Sequence, residues 1–221
     1  MSTILVVAPH ADDETLGCGG TIARHLAAGD RVVWLLCTRL CEKDFPAATI
    51  QRRESELLAV QAIYGKLELC RLDHLTTHLD TVADGVLSKD LRTVLEDVRP
   101  DTVYLPYGND AHTDHHKVFQ AGAAAAKTFR FPFVRRVRVY ETISETNFNF
   151  SPGRGVFTPN VYVEVTGHLE TKLRAMAAYQ GETQPHPFPR SMEAIRALAL
   201  LRGSECGKEY AEAFMALKEI E

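Results

Sequence analysis

The sequence predicts an α/β fold, Rossmann-like, with a mostly parallel sheet and helices on both faces. Three observations carry this expectation. Short apolar runs alternate with longer amphipathic stretches, the order in which strands and helices are chained in a parallel sheet. The first run, Thr3–Ala8, is apolar almost throughout and reads as a buried strand. Glycine or proline closes several of the helical stretches, at Gly29, Gly65 and Pro100.

The elements follow in order. After the strand Thr3–Ala8, Gly17–Ala28 reads as a helix ending at Gly29 and Val32–Thr38 as a second strand. Thr49–Tyr64 is helical and closed by Gly65, and Leu67–Leu72 is a third strand. Val86–Val98 is a helix stopped by Pro100, and Thr102–Leu105 is a fourth strand. A His-rich loop and a helix over Lys117–Thr128 come next, then strands over Arg136–Glu141 and Val161–Val165. Helices are expected at Leu169–Gln180, Met192–Arg202 and Lys208–Glu219. There is no Ser/Gly linker and no repeat, and 221 residues suit one core, so residues 1–221 read as a single domain.

The formal net charge of −4 argues against a protein built to coat nucleic acid. The basic stretch from Arg130 to Arg138 reads instead as a strand with charges on its wet face. No apolar run approaches the ~18 residues of a membrane span, and no leader is visible before Thr3. The five cysteines are odd in number and irregularly spaced, which points to a reducing cytoplasm rather than a disulfide framework. Cys37 and Cys41 lack a second pair to complete a metal site and read as small buried residues.

Ligands of open α/β sheets bind beyond the carboxyl ends of the strands, and two unusual segments fall there. The first is Ala8-Pro9-His10-Ala11-Asp12-Asp13-Glu14. Three neighbouring acids repel unless a cation or water neutralises them. His10 and Asp13 are spaced so that a tight turn brings both to one point, with Asp12 on another side of it. The second segment, Tyr107 to His116, carries His112 and His115 around Asp114. A His, an Asp and a second His around an open position make a catalytic zinc arrangement, and a nearby carboxylate suits the removal of a proton from water. Taken singly, the acids fit a solvated helix start and the histidines fit a loop. The coincidence of both clusters at strand ends favours the metal. Gly17-Cys18-Gly19-Gly20 invites a dinucleotide reading, but Ile22 stands where the third glycine should be, so close helix packing is expected instead.

These residues resemble the LmbE-like, or PIG-L, deacetylase family. Pro9-His10-Ala11-Asp12-Asp13-Glu14 and His112-Thr113-Asp114-His115 match its two motifs, apart from Ala11 and Thr113 where proline is common. Arg53-Glu54-Ser55-Glu56-Leu57, Pro159-Asn160, Lys172 and Tyr210–Phe214 match its helix and tail signatures. The resemblance implies that His10, Asp13 and His115 hold one zinc ion and that Asp12 is the general base. It implies that His112 stabilises the oxyanion and helps protonate the leaving amine, its ring oriented by Asp114. Arg53 matches a residue that binds sugar hydroxyls, and Asp44 lies about where a second sugar-binding acid occurs. Asp110 reads as a wall of the pocket, and His186 reads either as reaching the site or as lying on a surface loop. The implied activity is hydrolysis of the acetyl group from an N-acetylglucosamine-like sugar or conjugate, a small molecule, in a homo-oligomeric protein. Two alternatives stay open: a related zinc amidase acting on a non-acetyl amide such as a thiol conjugate, and a non-catalytic sugar-binding relative.

Overall fold

A computed structural model describes residues 1–150 and 155–221. Its strands are β1 (Thr3–Ala8), β2 (Arg31–Arg39), β3 (Glu68–Leu75), β4 (Thr102–Pro106), β5 (Arg136–Tyr140), β6 (Val161–Glu164) and β7 (Ala211–Glu219). Its helices are α1 (Asp13–Ala27), α2 (Ala47–Tyr64), α3 (Asp84–Val98), α4 (Thr113–Ala125), α5 (Leu169–Ala178) and α6 (Met192–Cys206). The strands form one sheet in the order β3-β2-β1-β4-β5-β7-β6. β1 to β5 are mutually parallel, whereas β7 runs antiparallel to both β5 and β6. The chain steps outward from β1 to β3, then returns to build β4 and β5 on the other side of β1. That reversal places a crevice beyond the carboxyl ends of β1 and β4, where open α/β sheets bind ligands.

Alternation along the central strands explains why they look uniformly apolar. Ile4, Val6 and Ala8 pack with Ile22 of α1, Leu57 of α2, Met176 of α5 and Ile195 of α6. Leu5 and Val7 pack on the opposite face with Leu91 of α3 and Val118 of α4. In β2, Val32, Trp34 and Leu36 divide from Val33, Leu35 and Cys37 in the same way. A strand covered on both faces has no position for a polar residue.

The structure departs from the sequence-based expectation most clearly at the end of the chain. Lys208–Glu219 was expected to be a helix, but Ala211–Glu219 is a strand between β5 and β6. Its Ala, Glu, Met and Leu residues favour helix intrinsically. Ladders on both sides and burial of Ala211 to Phe214 override that preference. Two helices also begin four residues earlier than expected: α1 at Asp13 and α4 at Thr113. In the Arg130–Arg138 stretch, Val134 and Val137 are buried, while Arg136 and Arg138 pair with Glu219 across the ladder.

Glycines let α1 lie against the rest of the molecule. A Cβ on Gly17 would stand 2.1 Å from the ring of Tyr140, and one on Gly20 would stand 2.8 Å from Val165. Tyr140 is fully buried and donates its hydroxyl to the Val7 carbonyl at 2.9 Å, so it has no room to retreat. Gly17→Val is therefore expected to lower stability by at least ~1–3 kcal/mol through overpacking. An unchanged urea midpoint in the purified variant would contradict this packing account.

A buried ion pair ties the same helix to the far end of the chain. Lys172 of α5 and Glu212 of β7 meet at 2.6 Å, both almost without solvent contact. Lys172 Nζ also donates to the Leu16 carbonyl at 2.8 Å. Glu212 accepts the backbone N–H of Gly20 at 2.9 Å and of Thr21 at 2.7 Å. Each charge is thus satisfied by its partner and by α1 backbone, the condition under which a buried pair is tolerated.

Candidate metal centre and active site

Both segments singled out in the sequence run from the end of a strand into the first turn of a helix. After β1, the chain turns through Pro9 to Asp12, and α1 starts at Asp13. Asp12 holds φ at 127°, a region a side chain rarely occupies, and its carbonyl accepts from Thr15 and Leu16. Such strain persists only where surrounding contacts over-determine it. Glu14 supplies part of that support, because it accepts from the Asp12 N–H, the Thr15 hydroxyl and the Tyr179 hydroxyl. Burial pushes the Glu14 carboxyl up to about 7 despite those bonds. Glu14 therefore braces the turn and is absent from the cavity wall. After β4, His112 caps α4 by accepting the Asp114 N–H on Nδ1 at 3.1 Å, so a neutral ring carries its proton on Nε2.

The two turns bring three ligand-type atoms together. Asp13 Oδ2 lies 3.3 Å from His10 Nδ1 and 3.2 Å from His115 Nε2. Ligand atoms around a tetrahedral zinc, with bonds of about 2.0–2.2 Å, stand roughly 3.3–3.6 Å apart, close to these spacings. The far nitrogens of both imidazoles face carboxylates: His10 Nε2 meets Asp114 Oδ2 at 3.0 Å, and His115 Nδ1 meets Asp110 Oδ2 at 2.7 Å. Carboxylates in these positions fix ring orientation and raise ligand basicity. The electrostatics agree. Burial disfavours charge on Asp13, but His115 and His10 more than reverse this and hold its carboxyl well below the usual range. Burial likewise lowers His10, yet Asp114 and Asp13 bring it up to about 9. Positive charge is thus strongly favoured at this point, and the donor set fits a divalent metal such as zinc.

A second group, His10, His112 and Asp114, is also compact enough to hold a metal. Its carboxylate is already engaged, however, by His10 and by the N–H groups of Thr77 and Leu79. His112 Nδ1 is likewise occupied by the Asp114 N–H. The first group is therefore the better metal centre.

Asp12 stands beside this centre without facing it as a ligand, and it lines a cavity of about 230 Å³ together with His10 and His112. Burial, the adjacent Asp13 and Glu182 push its carboxyl well above the usual range, opposed by Arg190 and Arg53. Arg190 Nη1 donates to Asp12 Oδ2 at 3.0 Å. Burial and the His10 and His115 charges bring His112 down to about 4, leaving its ring neutral near pH 7.

Several residues lie elsewhere than the sequence suggested. The Asp114 carboxylate faces His10, and only its backbone N–H orients His112. Asp110 is fully buried beneath His115, where it also accepts from Thr146, and forms no part of the cavity wall. Asp44 faces His78 at 2.9 Å and Cys41 at 3.1 Å, outside the lining, where Phe45 takes a place instead. Arg53 does line the cavity, but its guanidinium reaches the Ala11 carbonyl, Glu182 and Glu56. It thereby braces the turn that carries Asp12. His186 is exposed and outside the lining, whereas Arg190 from the same loop reaches the site. Arg190 and its partner Glu182 belong to no recognisable motif, and the pairing of Arg190 with Asp12 across 178 residues leaves no local signal.

The family model described as PIG-L, GlcNAc-PI de-N-acetylase, matches residues 5–126. Diacetylchitobiose deacetylase of Thermococcus kodakarensis is 26% identical to the chain, covering 95% of it and 80% of the relative. A probable N-acetyl-alpha-D-glucosaminyl L-malate deacetylase of Bacillus anthracis is 27% identical, covering 81% of the chain and 80% of the relative. Among solved structures, a conserved protein of Thermus thermophilus superposes with a TM-score of 0.81 at 28% identity, over 100% of this chain and 97% of that one.

Proposed function

The chain belongs to the PIG-L family, and from that premise we propose that it is a zinc-dependent deacetylase of an N-acetylglucosamine-like sugar or sugar conjugate. The observation that supports zinc best is the convergence of His10, Asp13 and His115, with a carboxylate behind each imidazole. The relatives' names support the sugar. Among the described residues, no helix is long and apolar enough to cross a membrane. Five free cysteines fit residence in the cytoplasm.

When bound, zinc would polarise the amide carbonyl and lower the pKa of the attacking water. Everything else falls to the chain's own groups. Asp12 is placed to take the proton of that water, and its raised affinity for a proton suits this role. Arg190 holds one Asp12 oxygen, leaving the other available. His112, neutral and with its hydrogen on Nε2, donates to the acyl oxygen as negative charge develops there. The proton gathered by Asp12 is then delivered to the departing amine, and acetate and the amino sugar separate. The turn geometry matters because donors act only when already aimed, and the Asp114 N–H fixes the His112 ring.

The test is a metal assay joined to a substrate panel. The purified protein is expected to carry about one zinc per chain and to release acetate and free amine from N-acetyl sugars. Amine release from non-acetyl amides alone would move the assignment to a related amidase. Release without metal, or none from any amide, would overturn it.

A further inference from the structure

We propose that Arg39 and Arg52 form an anion subsite at the outer wall of the cavity, which selects conjugates carrying a carboxylate or phosphate away from the acetamide. The proposal rests on the deacetylase reading above and adds the chemical class of the substrate.

The protein is acidic overall, with a formal net charge of −4. Its cavity has the opposite sign. Five arginines line it, Arg39, Arg52, Arg53, Arg71 and Arg190, against three carboxylates, Asp12, Glu54 and Glu182. A recess whose charge opposes that of the surrounding protein concentrates ligands of the matching sign.

The arginines fall into two groups. Arg71 is locked to Glu54 by two bonds of 2.7 and 2.8 Å. Arg53 and Arg190 share Glu182, and Arg190 also holds Asp12. These three cations therefore have matching acids in the lining. Arg39 and Arg52 do not. Arg39 donates to the Leu40 carbonyl at 3.5 Å, and among the described residues its one acidic neighbour is Asp73 at 3.7 Å, whose side chain is 84% exposed. Exposed pairs of that kind contribute almost nothing. Arg52 approaches Glu56 at 3.5 Å, but Glu56 also faces Arg53 at 3.1 Å and accepts the Gln180 N–H. The side chains of Arg39 and Arg52 are 42% and 46% exposed, against 14% for Arg53.

Their placement suits a second contact point on a substrate. Arg39 ends β2 and Arg52 lies on α2, so they approach the cavity from different elements. Gly181 stands over Arg52, where a Cβ would come within 3.1 Å of its Nη2. The absence of a side chain there leaves the guanidinium room. Arginine presents paired N–H donors that match the two oxygens of a carboxylate or the face of a phosphate. The acetamide end is fixed by the metal centre, so the subsite reads what the sugar carries.

The experiment compares kcat/KM for three substrates on the zinc-loaded full chain: N-acetylglucosamine 1-phosphate, the carboxymethyl glycoside of N-acetylglucosamine, and the methyl ester of that glycoside. The first two separate a phosphate from a carboxylate, and the ester is the neutral control. At least one anionic substrate is expected to exceed the ester by roughly 10²-fold, about tenfold for each charge-assisted contact. The advantage should shrink as salt is raised. In the Arg39→Gln/Arg52→Gln variant the ratio of anionic to neutral should fall towards one. A purely structural loss would lower both arms and leave the ratio unchanged. Calorimetry with glucosamine 1-phosphate, which has no acetyl group, reads the same subsite independently of turnover. Equal rates for all three substrates, or a variant that keeps the preference, overturns the subsite. If no substrate is hydrolysed, the deacetylase reading fails separately; phosphate-ester binding lost in the variant would still support the subsite, and binding retained or never present would end it.

Discussion

Asp12→Asn is expected to retain the metal and to lose roughly 10²–10⁴-fold in kcat, the range for loss of a general base. Asp12 touches Arg190 and the cavity rather than the His10–Asp13–His115 cluster, so its amide removes a proton acceptor without removing a ligand. The neighbouring change gives the opposite pattern. Asp13 Oδ2 stands between the two imidazoles, 3.3 Å from His10 Nδ1 and 3.2 Å from His115 Nε2, and a neutral amide is a poorer ligand than a carboxylate. Asp13→Asn should therefore weaken metal binding itself, and activity should fall with occupancy. Metal content and kcat measured on both variants separate the roles. Loss of metal in the Asp12 variant but not in the Asp13 variant would reverse them.

Chelation should abolish activity, and added zinc should restore it. His115→Ala should give a loss that zinc cannot rescue at ordinary concentrations. Behind this ligand, Asp110→Asn provides a graded test. The Asp110 carboxylate sits 2.7 Å from His115 Nδ1, and loss of such a partner costs about 10–100-fold in metal affinity. Its activity should recover at saturating zinc, whereas that of the His115 variant should not. Metal uptake is also expected to weaken as the pH falls. His10 titrates at about 9 before a cation enters, so below that pH a proton must leave for the metal to bind. Titration with a zinc indicator across pH 6 to 9 measures this directly. Full activity in chelated protein would remove the metal from the account.

Most of the architecture was legible because its signal is local. Doubly covered strands such as β1 and β2 must be apolar at every position, and the helices between them need only one apolar stripe. The two clusters were visible for the same reason, since Asp13 lies three residues from His10 and His115 lies three from His112. What the sequence hid is contact between distant segments. The expected helix at Lys208–Glu219 is a strand because partners on both sides claim its backbone. Asp114 turns from His112 to His10, a partner 104 residues earlier. Asp110 faces His115, a proposed ligand, instead of lining the pocket, because the first turn of α4 carries His115 over it. α1 and α4 start earlier than expected because acids and histidines read as loop residues until the His112 cap and the hydrogen-bonded turn at Asp12 are seen.

The Lys172–Glu212 pair makes the setting of α1 depend on β7, far along the chain. Every group proposed to touch zinc lies at or before His115 in the chain, yet the helix that begins at Asp13 is also held by side chains from Lys172 and Glu212. Glu212 belongs to β7, and the loop bearing Arg190 is separated from that strand by α6. A chain cut before β7 would keep every proposed ligand and the packing of Ile22 on β1, but the Gly20 and Thr21 N–H groups would lose their acceptor and Lys172 its buried counter-charge. The proposed metal centre therefore draws part of its rigidity from a residue well beyond its own ligands in the chain.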